Sequence, residues 1–168
     1  MSRWGVSGAQ VLPDLPYAVD VTSACSAVRN GFPACFAYAI AWRETIREYG
    51  ADAAGRLQDG WETLPANEVG HGLFQLTASY PTSWADPIAN TKWAIAHFLL
   101  PDVAFMLDQG PALSGLTLVK LVAAAFNAGP GRAWQAHLEG DVDLATTNGY
   151  AADVASIYSQ LIAGVHPR

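Results

Sequence analysis

What most constrains the fold of this chain is an apolar stretch bounded by helix signals. It runs from Ala34, Cys35 and Phe36 through Ile40, Ala41 and Trp42, with Pro33 suited to a first helical turn and Gly50 to a stop. The pattern predicts a helix from Pro33 to Tyr49. Late in that helix stands one acid, Glu44, followed by Thr45. Ala37, Ile40 and Ala41 lie one and two turns back on its own face. A carboxyl group in such apolar surroundings is costly to ionise and tends to keep its proton near neutral pH. Glu48 at the next turn and the C-terminal end of the helix dipole push the same way. A plainer reading competes with this one: acids near helix ends commonly sit on the surface, and a close Arg47 would keep the carboxyl ionised.

The remaining punctuation is mostly helical. Residues 1–33 hold Pro13, Pro16 and Pro33 with little periodicity, and read as an irregular N-terminal wrap of the same domain as residues 34–168. Within the wrap a short helix over Thr22 to Arg29, capped by Thr22 or Ser23, is expected. Asp86-Pro87 is a capping side chain followed by a first-turn proline. It opens a helix carrying Ile88, Trp93, Ile95, Phe98 and Leu99 that kinks or restarts at Pro101. A further helix spans Ser114 to Phe126, another starts at Pro130 or Gly131 and stops near Gly140, and a last one carries Tyr150, Val154, Ile157 and Leu161 on one face before Gly164. Residues 50–80, with Gly55, Gly60, Pro65, Gly70 and Gly72, form the one long non-periodic stretch, expected as loops or short strands that carry function.

Composition narrows the function classes. The 168 residues are 51% hydrophobic and 14% charged, which suits one compact domain and excludes disorder. A net charge of −6 argues against nucleic acid as a partner. No run of about twenty apolar residues is present to span a bilayer, and Met1 to Gln10 lack the apolar core of a secretory signal. Cys25 and Cys35 read as small core residues or as a disulfide, and the sequence leaves both open. His71, His97, His137 and His166 have no ligand spacing, so no metal site is expected.

Three later segments have residue types suited to binding a polar polymer. Gly70-His71-Gly72-Leu73-Phe74-Gln75 sets two glycines before an apolar pair and an amide. The glycines permit a bound chain to approach the backbone and Gln75 offers donors and an acceptor, although a tight turn would use the same residues. Phe126-Asn127-Ala128-Gly129-Pro130 is a helix end with an amide at the break, readable as a C-cap or as a groove contact. Tyr150 is a first-turn core aromatic or a phenol reaching the acid. Trp61 and Trp84 flank the loop and are candidates to stack on a ring.

Taken in order, the helix glutamate, Gly72-Leu73-x-Gln75, the Asp86-Pro87 helix, Phe126-Asn127-Ala128-Gly129 and Tyr150-Ala151-x-x-Val154 make the chain resemble the lysozyme-like superfamily. The resemblance runs from about Phe36 to Leu161 and is specifically to goose-type lysozymes and the related soluble lytic transglycosylases. It implies a mainly α, lysozyme-like single domain with a loop or short-strand region at residues 50–80, and a groove between the Glu44 helix and the C-terminal helices. It further implies cleavage of the β-1,4 bond between N-acetylmuramic acid and N-acetylglucosamine in peptidoglycan, with Glu44 as general acid. Gln75, Asn127 and Tyr150 fall on groove positions, with Gly72, Leu73, Phe74 and Phe126 as further substrate contacts. No cofactor is implied, the partner is a glycan strand, and the protein is expected as a monomer.

The chain departs from that pattern in places. Thr45 follows the acid where the family usually has serine, Phe74 replaces a methionine, and Phe126 a tyrosine. Gly60-Trp61 and Thr146-Thr147-x-Gly149-Tyr150 look closer to the goose type. Thr77 stands where goose-type enzymes commonly carry an aspartate, which leaves Glu62 and Glu68 as candidate second carboxylates. Leu76-Thr77 looks more like a transglycosylase, which needs no second carboxylate, so hydrolysis and 1,6-anhydro formation both stand. A glycan-binding or structural domain of the same fold is the rival reading. The substrate lies outside the cytoplasmic membrane, and without a visible signal a phage lysin or virion-carried enzyme is expected over a secreted one.

Overall fold

The computed structural model describes residues 3–5, 12–28, 31–59, 61–77 and 79–168, and these are mainly helical. The first helix, α1, covers Ala18–Ser26. It starts four residues before the expected Thr22, because the chain enters it through Tyr17 in a left-handed conformation and no side chain caps it. Thr22 and Ser23 are therefore interior to the helix, and Arg29 lies outside the described residues.

The apolar stretch forms α2, Ala34–Ala41, in which all eight residues are buried. A helix apolar on every side has no face to give to water and becomes the centre of the fold. It continues through a single π turn, Trp42–Ile46, into α3, Arg47–Tyr49, and stops at Gly50. The helix α4, Pro87–Ala94, opens as its sequence suggests, with the Asp86 carboxylate accepting from the Ala89 amide at 2.6 Å. A second π turn, Ile95–Leu99, precedes α5, Leu100–Gln109. The wider turn sits where Pro101 lacks the N–H that a continuous α-helix would use. The helix α6 spans Gly115–Ala128 and ends at Gly129, whose φ of 89° no L side chain adopts easily. Then come α7, Pro130–Leu138, and α8, Tyr150–Ile162.

Helix α8 packs on both α2 and α6, α6 also meets α5 and α7, and α1 bridges α2 and α4. One apolar cluster unites Val21 and Cys25 of α1 with Phe36 and Ile40 of α2, Leu118 and Val122 of α6, and Val154 and Leu161 of α8. The N-terminal segment is stitched to it. Trp4 packs on Phe32 and Phe36, and its carbonyl accepts from the Tyr158 hydroxyl at 2.9 Å. The Tyr38 hydroxyl donates to the Pro16 carbonyl at 2.7 Å. Cys25 and Cys35 are buried and no disulfide joins them. No helix among the described residues is long and apolar enough to cross a membrane.

Between α3 and α4 the described residues form short 3-10 turns at Gly50–Gly55 and Trp61–Thr63, with single antiparallel bridges pairing Leu57 with His71 and His71 with Leu76. The expected short strands are reduced to these bridges. Gly60 lies outside the described residues.

Candidate active site

Glu44 sits inside the π turn, where the central helix emerges from the core. The residue is half-buried at the groove wall, and desolvation of its carboxyl pushes its pKa up from the ordinary 4.5 to about 7. Two neighbours oppose that shift without cancelling it: the Tyr150 hydroxyl, which donates to Glu44 Oε1, and the positive charge of Arg43. Arg43, and not Arg47, is the cation that acts on the acid. Arg47 instead reaches Asp153 at 3.0 Å, and Arg43 Nε meets the same carboxylate at 2.8 Å. Asp153 thus holds both arginines against α8 while Arg43 lies over the Tyr150 ring at 5.3 Å.

Tyr150 is itself buried, as the first residue of α8. Its phenol is held well above the usual range, by burial first and then by the neighbouring Glu44 carboxylate, so it stays a donor. It acts on the acid and not on a ligand surface. The hydroxyl of Thr45, the next residue, donates to the Leu73 carbonyl at 2.9 Å and ties the helix to the loop across the groove.

That loop is built differently from its sequence reading. Leu73 and Phe74 are fully buried, so their side chains support the groove from behind and cannot touch a ligand. Gly72 is needed for an internal approach. A Cβ there would fall 2.6 Å from both Asn90 Nδ2 and the Trp84 carbonyl oxygen, at a backbone φ of 69°. Asn90, which sequence reasoning missed, is the reason: its Oδ1 accepts from the Phe74 amide and its Nδ2 donates to the His71 carbonyl, both at 3.1 Å. An asparagine on the inner side of a helix gives no local signal of this role. His71 is buried with Nδ1 3.2 Å from the Leu76 carbonyl, stacked on Tyr80 and edge-on to Trp84, so Trp84 is occupied within the protein.

Gln75 does reach the groove. It holds a left-handed φ of 46°, unusual for a residue with a side chain, and its amide donates to the Gly72 carbonyl at 2.9 Å. Glu44, Gln75, Thr77, Phe126 and Asn127 line one groove of about 510 Å3 together with Glu48, Tyr49, Leu57, Gln58 and Asp59. Asn127 is exposed at the end of α6, and Phe126 is backed by Phe74 and Phe98.

The candidate second carboxylates fall elsewhere. Glu68 is exposed and lines neither this groove nor its neighbour, and Glu62 lines a smaller adjoining pocket. The acids that share the groove with Glu44 are Glu48 and Asp59, and Asp59 accepts from the Tyr49 hydroxyl at 2.8 Å. Among the described residues no group of three His, Cys, Asp or Glu side chains is placed to hold a metal ion.

Chemically the arrangement offers a carboxylic acid that is substantially protonated at neutral pH, fixed by a phenol, at the wall of a polar cleft. No protein-family model matches the sequence, and no curated protein matches it.

Proposed function

We propose that this protein is a lysozyme-like glycosidase that cleaves the β-1,4 bond between N-acetylmuramic acid and N-acetylglucosamine in peptidoglycan, with Glu44 as general acid. The observation that carries the reading is the state of Glu44: a carboxyl raised to about 7 by burial, at the wall of a groove of about 510 Å3. Proton donation to a leaving glycosidic oxygen needs an acid that still holds its proton at working pH. The ordered motifs and the helical domain around a buried glutamate-bearing helix support the same family. Gln75 and Asn127 contribute amides to bind sugar hydroxyls and acetamido groups, and Tyr150 positions the acid. The site of action is then the cell wall.

The decisive test is Glu44→Gln, assayed by release of soluble fragments from purified peptidoglycan. Loss of the proton donor lowers the rate by about a hundredfold or more. Lysis undiminished in a folded variant refutes the assignment, and glycan binding without any cleavage by the wild-type protein refutes the enzymatic reading. Mass spectrometry of the fragments separates the two chemistries, since hydrolytic and 1,6-anhydro products differ by one water. Asp59 is the carboxylate to test for water activation: in a hydrolase Asp59→Asn suppresses the hydrolytic product, and in an anhydro-forming enzyme it leaves the identity of the product unchanged.

A further inference from the structure

The chain enters α8 through a tight turn. The Tyr150 backbone amide donates to the Thr147 carbonyl at 3.3 Å, which makes Asn148 and Gly149 the central residues. Both hold a positive φ, 54° and 61°, as a type I′ turn demands, and Asn-Gly is a pair that meets the demand readily. An Asn-Gly pair can also react with itself, because glycine puts no side chain between its own backbone nitrogen and the preceding amide carbon. Asn148 and Gly149 are exposed, and neither the Asn148 side chain nor the Gly149 amide has a hydrogen-bond partner among the described residues. The sequence holds a second such pair, Asn30-Gly31, of which Asn30 lies outside the described residues. There the Gly31 amide donates to the Val28 carbonyl at 2.8 Å, which withholds its nitrogen.

We propose that Asn148 is a site of spontaneous deamidation, and that its isoaspartyl product releases Tyr150 from Glu44. The Gly149 nitrogen gives its proton to solvent base and attacks Asn148 Cγ. The Cγ–Nδ2 bond breaks and the side-chain nitrogen leaves as ammonia. Water then opens the cyclic imide. Addition at Cγ gives aspartate, whereas addition at the Asn148 backbone carbonyl carbon gives isoaspartate, with the main chain rerouted through Cβ and Cγ. The net change turns an amide and water into a carboxylate and ammonium, and nothing is oxidised or reduced. The isoaspartyl route adds one backbone atom inside the ring closed by the Thr147–Tyr150 hydrogen bond, so that bond cannot keep its geometry. Tyr150 is the first residue of α8, and its hydroxyl donates to Glu44 Oε1. Displacing the turn therefore displaces the contact that fixes the acid. The new charge itself is tolerated, because it falls at the positive end of the α8 dipole.

The test incubates the purified protein at mildly alkaline pH and maps its peptides by mass spectrometry, with enzymatic methylation to mark isoaspartyl carboxyls. Conversion at Asn148 outpaces that at Asn30 by about fivefold or more, the factor by which one hydrogen bond withholds the Gly31 nitrogen. Anion exchange separates the modified chains by their extra negative charge. In the isoaspartyl fraction, 13C NMR of the Tyr150 ring carbon that bears the hydroxyl shows the Glu44 hydrogen bond lost. Asn148→Gly keeps a pair suited to the turn but has no side-chain amide, and its Tyr150 signal stays in place through the same incubation. Conversion that is equal at the two pairs, or faster at Asn30, overturns the site. An isoaspartyl fraction whose Tyr150 signal is unmoved, or a signal that moves as far in Asn148→Gly, overturns the coupling to Glu44. No readout involves a glycan, so the outcome is independent of the glycosidase reading.

Discussion

Replacing Tyr150 by phenylalanine removes one oxygen and tests the electrostatic account of Glu44 directly. In the wild-type protein burial holds the carboxyl near 7, and the phenol's hydrogen bond pulls the other way by favouring the ionised form. A hydrogen bond to a charged group is worth about 1.5–3 kcal/mol. Part of it survives when the carboxyl is protonated, so about half acts on the proton equilibrium, which at about 1.4 kcal/mol per unit is about one pH unit. The sign follows: Tyr150→Phe raises the Glu44 pKa further. A general acid works in its protonated form, so the alkaline limb of the pH–rate profile moves upward by about one unit, and relative activity at pH 8 rises. The assay is kcat/KM for peptidoglycan solubilisation from pH 5 to pH 9, with 13C NMR of the Glu44 carboxyl as an independent titration. Asp153→Asn supplies the opposite perturbation from the next turn of the same helix. It strips Arg43 of its partner at 2.8 Å, leaves that positive charge uncompensated beside Glu44, and moves the limb down. A limb that stays in place in both variants, or moves the same way in both, refutes the argument.

Two further outcomes follow from buried polar groups. Asn90→Ala leaves the Phe74 amide and the His71 carbonyl without partners, each costing about 1–3 kcal/mol, so urea denaturation should show a loss of about 2–6 kcal/mol. A loss below about 1 kcal/mol would mean that the loop finds other partners. Glu44 and Asp102 both have folded pKa values of about 7, raised by burial above ordinary values of 4.5 and 3.8. The folded state therefore holds protons that the unfolded state releases, and the stability these groups contribute is present below about pH 4 and is lost as pH rises through 7. Relative to wild type, Glu44→Gln and Asp102→Asn should each gain up to about 3 kcal/mol between pH 4 and pH 8 in paired urea melts, and a pH-independent difference refutes the assigned burial.

What was legible in the sequence is what local chemistry writes. Asp86-Pro87 marks a helix start because the cap and its amide are three residues apart. Gly129-Pro130 divides α6 from α7 because both residues act on their own backbone. The apolar neighbours of Glu44 lie one and two turns back, so its perturbed state was readable too. The entry to α1 was not: Tyr17 starts it through a left-handed backbone, with no capping residue to announce it. Gly72 was misread for a related reason. It looked like an opening for a ligand, but the atoms that require it belong to Trp84 and Asn90, which only the folded chain brings near. The pairing of both Arg43 and Arg47 with Asp153, more than a hundred residues downstream, had no local signal either.

The π turn connects these long-range pairings to the chemistry. Upstream of it every residue of α2 is buried, so a helix continuing in the same register would carry the same enclosure forward. An α-helix advances about 100° per residue. A π turn closes its hydrogen bond one residue later and shifts the faces that follow. Across Trp42–Ile46 three consecutive side chains part company: Arg43 goes to Asp153 on α8, Glu44 to Tyr150 on α8, and Thr45 to the Leu73 carbonyl of the loop. The acid is thereby fixed between two structures that Asn90 and Asp153 hold independently. Its pKa can then be tuned from α8 while its position is set partly from the loop. Loosening the loop through Asn90 should lower the rate with little movement of the pH limb, whereas changes at Tyr150 or Asp153 should move the limb.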